Sequence, residues 1–254
     1  MDKIIVRIAQ NKDEIKDSQR LRYQVFFEEM GAQKQNINSP INPIQQNENL
    51  VLDIDEYDDY CEHLIAIETT TNKVIGSYRM LSPANAQKIG RWYSASEFNL
   101  KPLENIFPQM VEVGRSCVME GYRNGAIIAK LWSGIVHYLL QGNYKYLIGC
   151  ACVPLNIGEK AVRQIINQSQ KHLAPNHFQV HPLKAWGVDN INPQDFDPQI
   201  KMPPLLKGYL RAGAWICGAP AHDPIFNTAD LLILLSLTQI ENRHFQHFVN
   251  RQKV

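Results

Sequence analysis

Residues 110–140 place the strongest constraint on what this chain can fold into. Met110–Val118 reads MVEVGRSCV, a β-rich and mostly apolar run. A short turn with Gly121 and Gly125 follows, and residues 125–140 are then apolar around most of a helical circumference. Such a helix must be largely covered. A buried strand that feeds directly into it implies a sheet for the helix to lie on.

The rest of the chain supplies that sheet. Residues 3–8 read as a first strand. Residues 13–30 read as an amphipathic helix, with Ile15, Leu21, Val25 and Phe26 at helical spacing and Gly31 closing it. Residues 63–68 and 73–81 are β-like runs joined by Thr-Thr-Thr-Asn, a hairpin pattern. Residues 145–152 form a strand after the apolar helix, and 156–172 a further helix. Residues 205–212 are a short helix, 214–218 and 230–237 strands, and 238–250 a closing helix. This alternation predicts a three-layer α/β or α+β domain around a central sheet. Two stretches interrupt it. Residues 32–51 are polar and Asn/Gln-rich, as in a mobile surface loop. Residues 174–203 are a Pro-rich excursion, and not a linker, because more β pattern follows. The 254 residues are enough for one large core, so a single domain over 1–254 is expected.

Composition excludes several function classes. Lys and Arg total 26 against 25 Asp and Glu, which removes the usual support for nucleic-acid binding. The apolar run at 231–235 is far shorter than the roughly 20 residues of a membrane span. With no leader pattern after Met1 and an odd count of five cysteines, a cytoplasmic protein is expected. Cys150 and Cys152 form C-x-C without a second pair, no H-E-x-x-H occurs, and Asp53, Asp55 and Asp58 miss the calcium-loop pattern, so no metal is expected.

Three places can carry chemistry. The strand–glycine turn–helix at 110–132 can present backbone N–H groups to an anion such as a pyrophosphate or a phosphopantetheine arm; a plain connection is the other reading. Glu112 and Arg115 in that apolar strand are costly to bury unless paired. They have opposite parity, which an undistorted strand would send to opposite faces and a β-bulge would correct. Six acidic residues fall within positions 53–62; they could recognise a cationic amine or simply form a solvated turn. Arg79, in a central strand, needs a carboxylate, with Asp55, Asp58 and Glu112 as candidates. Cys117 and His137 read as core or edge residues.

These residues resemble a known family. The segments Leu21–Glu29, Asp53–Leu64, Gly76–Leu81, Trp92–Phe98, Glu112–Val118, Leu131-Trp132 and Pro204–Ala214, with Asp223 and Phe226, are similar to GNAT-fold N-acyltransferases that make lyso-ornithine lipid, often labelled hemolysin-like. The order Arg22…Phe26, Asp55…Asp58, Arg79, Glu112…Arg115 is more distantly similar to acyl-homoserine-lactone synthases. The resemblance implies a GNAT-like α/β/α domain with a mixed, centrally splayed sheet. It implies transfer of a 3-hydroxyacyl group from acyl carrier protein to the α-amine of ornithine, the first step of ornithine lipid biosynthesis. No permanently bound cofactor follows from it; the donor arm is the 4'-phosphopantetheine of the carrier. Contact with a membrane would be peripheral at most, and nucleic acid is not a partner. The turn Arg123-Asn124-Gly125-Ala126 is one residue short of the acetyl-CoA phosphate loop of this fold, so a carrier-borne pantetheine fits it as well as coenzyme A.

On this reading Glu112 is the expected general base, with Asp58 second. Asp55 and Asp58 hold the cationic groups of the acceptor, and Arg79 or Arg115 orients them or holds the substrate carboxylate. Arg22 and Phe26 join the substrate site. Backbone donors around Ser116, Cys117 and Val118 stabilise the oxyanion. Arg123, Asn124, Gly125, Ala126 and Lys130 serve the pantetheine, and Lys207 and Arg211, one helical turn apart, serve an acidic carrier. The competing readings are an acyl-homoserine-lactone synthase using S-adenosylmethionine, an N-acyltransferase for another amino acid such as glycine, and a non-enzymatic membrane-active or acyl-binding protein.

Overall fold

A computed structural model describes residues 3–32, 46–47, 50–187 and 196–237. They fall into two compact units: those within 3–90 together with 111–144, and those within 91–110 together with 145–237. The expected closing helix at 238–250 and most of the expected loop at 32–51 lie outside the described residues; Gln46–Asn47 and Leu50–Val51 pair as two short strands.

The first unit holds β1 (Ile4–Ile8), β2 (Glu62–Glu68), β3 (Lys73–Leu81) and β4 (Met110–Val118) in that spatial order, each antiparallel to the next. The β2–β3 turn closes with Asn72 at φ 55°, a left-handed position that Asn tolerates. Helix α1 (Lys12–Tyr23) begins at Asn11, whose side chain accepts from the amides of Asp13 and Glu14. It runs on into a wider π-helical turn, Gln24–Glu29, which carries Phe26. Helix α2 (Pro83–Ile89) is capped by Ser82 and follows β3. Helix α3 (Ala126–Gln141) is the apolar helix foreseen from the pattern.

The two faces of this sheet have different tasks. A Cβ on Gly134 of α3 would meet Leu64 at 3.0 Å and Val6 at 3.1 Å, and one on Gly76 would meet Ile127 at 3.0 Å. Helix α3 therefore lies close on the face of Leu64 and Gly76. His63 is the next residue along β2 and points the other way, where its Nδ1 lies 3.5 Å from Ser18 Oγ of α1. Helix α1 covers that face and seals the polar side chains between helix and strands. The unit is thus layered α/β/α, dry on one side and charged on the other.

The second unit holds β5 (Tyr146–Pro154), α4 (Glu159–Ser169), α5 (Pro204–Arg211), β6 (Trp215–Ile216), β7 (Ala221–Asp223) and β8 (Thr228–Ser236). Strand β8 is buried along its whole length and pairs antiparallel with β5, β6 and β7. A 3₁₀ stretch, Lys101–Gln109, leads into β4. The described part of the 174–203 excursion includes a 3₁₀ turn, Asn176–Phe178, and a two-residue strand, His181–Pro182, paired with Phe98–Asn99.

Candidate active site

Three arginines and three aspartates meet inside the first unit. Arg22 comes from the last turn of α1, Arg79 from β3 and Arg115 from β4; Asp53, Asp55 and Asp58 come from the turn that precedes β2. All six are buried, with Arg22 at 0% exposure. The Arg22 guanidinium grips Asp58 with both ends of its fork, at 2.7 and 3.1 Å, and donates from Nε to Asp53 Oδ2 at 2.8 Å. Its Nη2 also donates to the Asp53 carbonyl at 2.6 Å. Arg79 Nη1 donates to Asp55 Oδ1 at 2.5 Å and to Asp58 Oδ1 at 3.2 Å. Arg115 bridges Asp53 Oδ2 at 3.2 Å and Asp55 Oδ2 at 3.1 Å.

Burying six charges is costly, and the equal count of each sign with dense hydrogen bonding is what makes it tolerable. Both oxygens of Asp55 and both of Asp58 accept at least one donor, the Tyr57 and Asp55 amides included. Burial alone would raise these carboxyls, but Arg79 and Arg115 outweigh it at Asp55, and Arg22 and Arg79 outweigh it at Asp58. Both are held below the usual carboxylate range, Asp58 far below. Asp53 Oδ1 is buried without a hydrogen-bond partner. His63 is lowered by its burial and so stays neutral; its Nε2 lies 3.1 Å from the Asp58 carbonyl.

The parity of Glu112 and Arg115 is corrected by a bulge. Ser77 faces Cys117 while Arg79 faces Gly114, so β4 carries one residue more than β3 across this interval. Arg115 sits there at φ 50°, a left-handed conformation uncommon for a long side chain. The extra residue turns its guanidinium into the aspartate cluster. Glu112 is buried in register with Leu81. Gly114 faces Arg79 and Glu112 faces Leu81, so Glu112 lies on the same face of the sheet as Arg79, one pair further along.

Similarity to known proteins agrees with this arrangement. Residues 21–133 match the family model of the acetyltransferase (GNAT) domain. The L-ornithine N(alpha)-acyltransferase of Rhodobacter capsulatus is 30% identical over 97% of this chain and 95% of its own length. That of Brucella abortus is 30% identical over 96% of this chain and 88% of its own. The chain belongs to the L-ornithine N(alpha)-acyltransferase family. It is an acyltransferase of α/β architecture with a GNAT domain. Among solved structures, the CoA-dependent acyl-homoserine lactone synthase BjaI has the same fold, with a TM-score of 0.54 at 15% identity over 98% of this chain and 88% of that one. A second such synthase, MesI, gives 0.52 at 9% identity over 97% and 95%.

Within this acyltransferase, Arg22, Asp55, Asp58, Arg79 and Arg115 are one cluster. Phe26 is half-buried on the π-helical turn. Ser116 and Val118 are partly exposed, while Cys117 is buried and its thiol is pushed up to about 12 by that burial. The turn before α3 is exposed. Arg123 donates to the Val118 carbonyl at 2.8 Å and pairs with Glu29. Asn124 Oδ1 accepts from the Ala126 amide at 3.1 Å, and Gly125 takes φ 83°. Lys130 is half-buried on α3. Lys207 and Arg211 are exposed on α5, in the second unit. His137 is exposed, against the core or edge position expected, because it lies on the outer side of α3. Asp53, His63 and Ser18 were not singled out from the sequence as site residues. Three buried arginines require three acids, and that count is the signal that would have found Asp53.

Proposed function

We propose that this acyltransferase moves a 3-hydroxyacyl group from acyl carrier protein to the α-amine of ornithine, as the first step of ornithine lipid biosynthesis in the cytoplasm. The observation that carries this reading is the match of 30% identity along nearly the whole chain to proteins named L-ornithine N(alpha)-acyltransferase. Five free cysteines suit a reducing compartment. Among the described residues no helix is long and apolar enough to cross a membrane.

An α-amine is mostly protonated at neutral pH and must lose a proton before it attacks a thioester. We assign that proton to Glu112, directly or through water. Asp58 is a poor acceptor, because four donors already hold its charge. Asp53, Asp55 and Asp58 instead orient the arginines, and Arg79 and Arg115 present positive charge toward the acceptor carboxylate. Arg22, fully enclosed, acts only through these acids. Attack on the carbonyl gives a tetrahedral oxyanion, which the backbone donors around Ser116–Val118 would stabilise. Collapse breaks the C–S bond, and the pantetheine sulfur takes the second amine proton and leaves as the thiol. No acyl-enzyme is needed, and the buried Cys117 and half-buried Cys61, both with raised thiols, would be poor nucleophiles. The exposed turn at 123–126 suits the phosphate of the pantetheine arm, and the exposed Lys207 and Arg211 suit the acidic carrier.

Expression in a bacterium that lacks ornithine lipid, followed by lipid extraction and mass spectrometry, tests the reading. A new N-(3-hydroxyacyl)ornithine species is expected. Acyl-homoserine lactones, an acylated different amino acid, or no new species would each overturn it.

A further inference from the structure

The second unit contains a cluster that acyl transfer as described above does not use. Cys150 and Cys152 alternate along β5 and so face one side of the sheet. Asp230 on β8 stands directly across the ladder from Cys152, and its Oδ2 lies 3.4 Å from Cys152 Sγ. Glu97 follows the 3₁₀ turn Tyr93–Ser96 and brings Oε2 to 3.9 Å from Cys150 Sγ. The ligand atoms of Glu97, Cys150 and Asp230 all lie within 4.8 Å of one another. We propose that Glu97, Cys150, Cys152 and Asp230 form a binding site for a thiophilic divalent cation of the zinc class.

The donor set selects the metal. Two sulfurs and two carboxylate oxygens suit zinc-like ions, whereas calcium and magnesium take six or more oxygens, including water. Tetrahedral bonds of about 2.3 Å to sulfur and about 2.1 Å to oxygen put neighbouring ligand atoms roughly 3.5 Å apart. The contacts of 3.4 and 3.9 Å bracket that spacing; Glu97, Cys150 and Asp230 form the close group, and Cys152, outside it, joins through its contact to Asp230.

The surrounding shell holds the donors in place. The Thr228 hydroxyl donates to Asp230 Oδ1 at 2.6 Å and so fixes the carboxylate with Oδ2 turned to Cys152. The Leu183 amide donates to the Glu97 carbonyl at 2.7 Å and anchors the residue that brings the fourth ligand. Cys152 keeps exposed surface, which gives an ion a way in. A dication bound by thiolates displaces the thiol protons. The C-x-C pair alone gave no reason to expect this, because its two oxygen partners lie on separate segments of the chain.

The test is a cobalt titration of purified, chelator-treated full-length protein. One equivalent of Co²⁺ is expected to bind with a thiolate-to-metal charge-transfer band, to release protons, and to be displaced by Zn²⁺. Replacing both thiols (Cys150→Ser with Cys152→Ser) should abolish the band. Asp230→Asn should weaken binding at least about tenfold, the lower bound for losing even an outer-shell partner. The wild-type protein offers a check that needs no variant: Zn²⁺ should slow alkylation of Cys150 and Cys152, read residue by residue by mass spectrometry. Absence of the thiolate band in wild type, its persistence in the double variant, or unprotected cysteines would each overturn the proposal. None of these readouts depends on which acceptor the enzyme acylates.

Discussion

Asp58 accepts four hydrogen bonds, two from Arg22, one from Arg79 and one from the Asp55 amide. A carboxylate in that position is structural before it is chemical. Asp58→Asn should cost about 3–5 kcal/mol at neutral pH, the usual loss when one partner of a buried pair is removed, measured by urea unfolding. The pH dependence follows from the direction of the shift. The folded pKa lies below the unfolded value of about 3.9, so the contribution of Asp58 is complete above that pH. It is lost as the pH falls through the folded value. The stability gap between wild type and Asp58→Asn should therefore be constant above about pH 4 and shrink below it; a gap that does not change with acid would contradict this role. At this scale the sequence was partly legible. It named Asp55 and Asp58 among the partners of Arg79, and both are. It also left open a solvated acidic turn, and Asp53, Asp55 and Asp58 are instead buried. The deciding contacts join residues more than 20 positions apart, and a charge run read by itself carries no record of the arginines that will meet it.

Elements with strong hydrophobic period were the most legible. Strand β4, the β2–β3 hairpin and helix α3 fall at or within a few residues of their expected bounds. What was not legible is local departure from regular geometry. The bulge was foreseen only as a possibility, because one unpaired residue depends on the register of the partner strand. The π-helical turn that follows α1 and the strand β7 were not foreseen at all, the latter because three residues hold no measurable period. Helix α5 was foreseen, and Lys207 and Arg211 stand exposed on it, four residues apart and so on one face. Reversing both to Glu should raise KM for acyl carrier protein by about tenfold at low salt, equivalent to about 1.4 kcal/mol of docking energy, with kcat retained. The effect should fade as salt rises. An unchanged KM and salt slope would remove α5 from carrier docking.

For the whole molecule, a formal net charge of +1 looked uninformative. It conceals a local separation: one unit buries three acids against three arginines, and the other gathers two carboxylates about two thiols. The proposed transfer from a protein-borne thioester would give a lipid precursor without a membrane-spanning helix, and none is found among the described residues. The central claim is that ornithine is acylated on its α-amine with Glu112 accepting the proton. Single-turnover assay of purified protein with 3-hydroxyacyl carrier protein and ornithine, followed by mass spectrometry, tests it most directly. Wild type should yield N(alpha)-(3-hydroxyacyl)ornithine, and Glu112→Gln, folded by circular dichroism, should form it at least about a hundredfold more slowly at neutral pH. Acylation at the side-chain amine, no product from wild type, or near-normal turnover in Glu112→Gln would contradict the account.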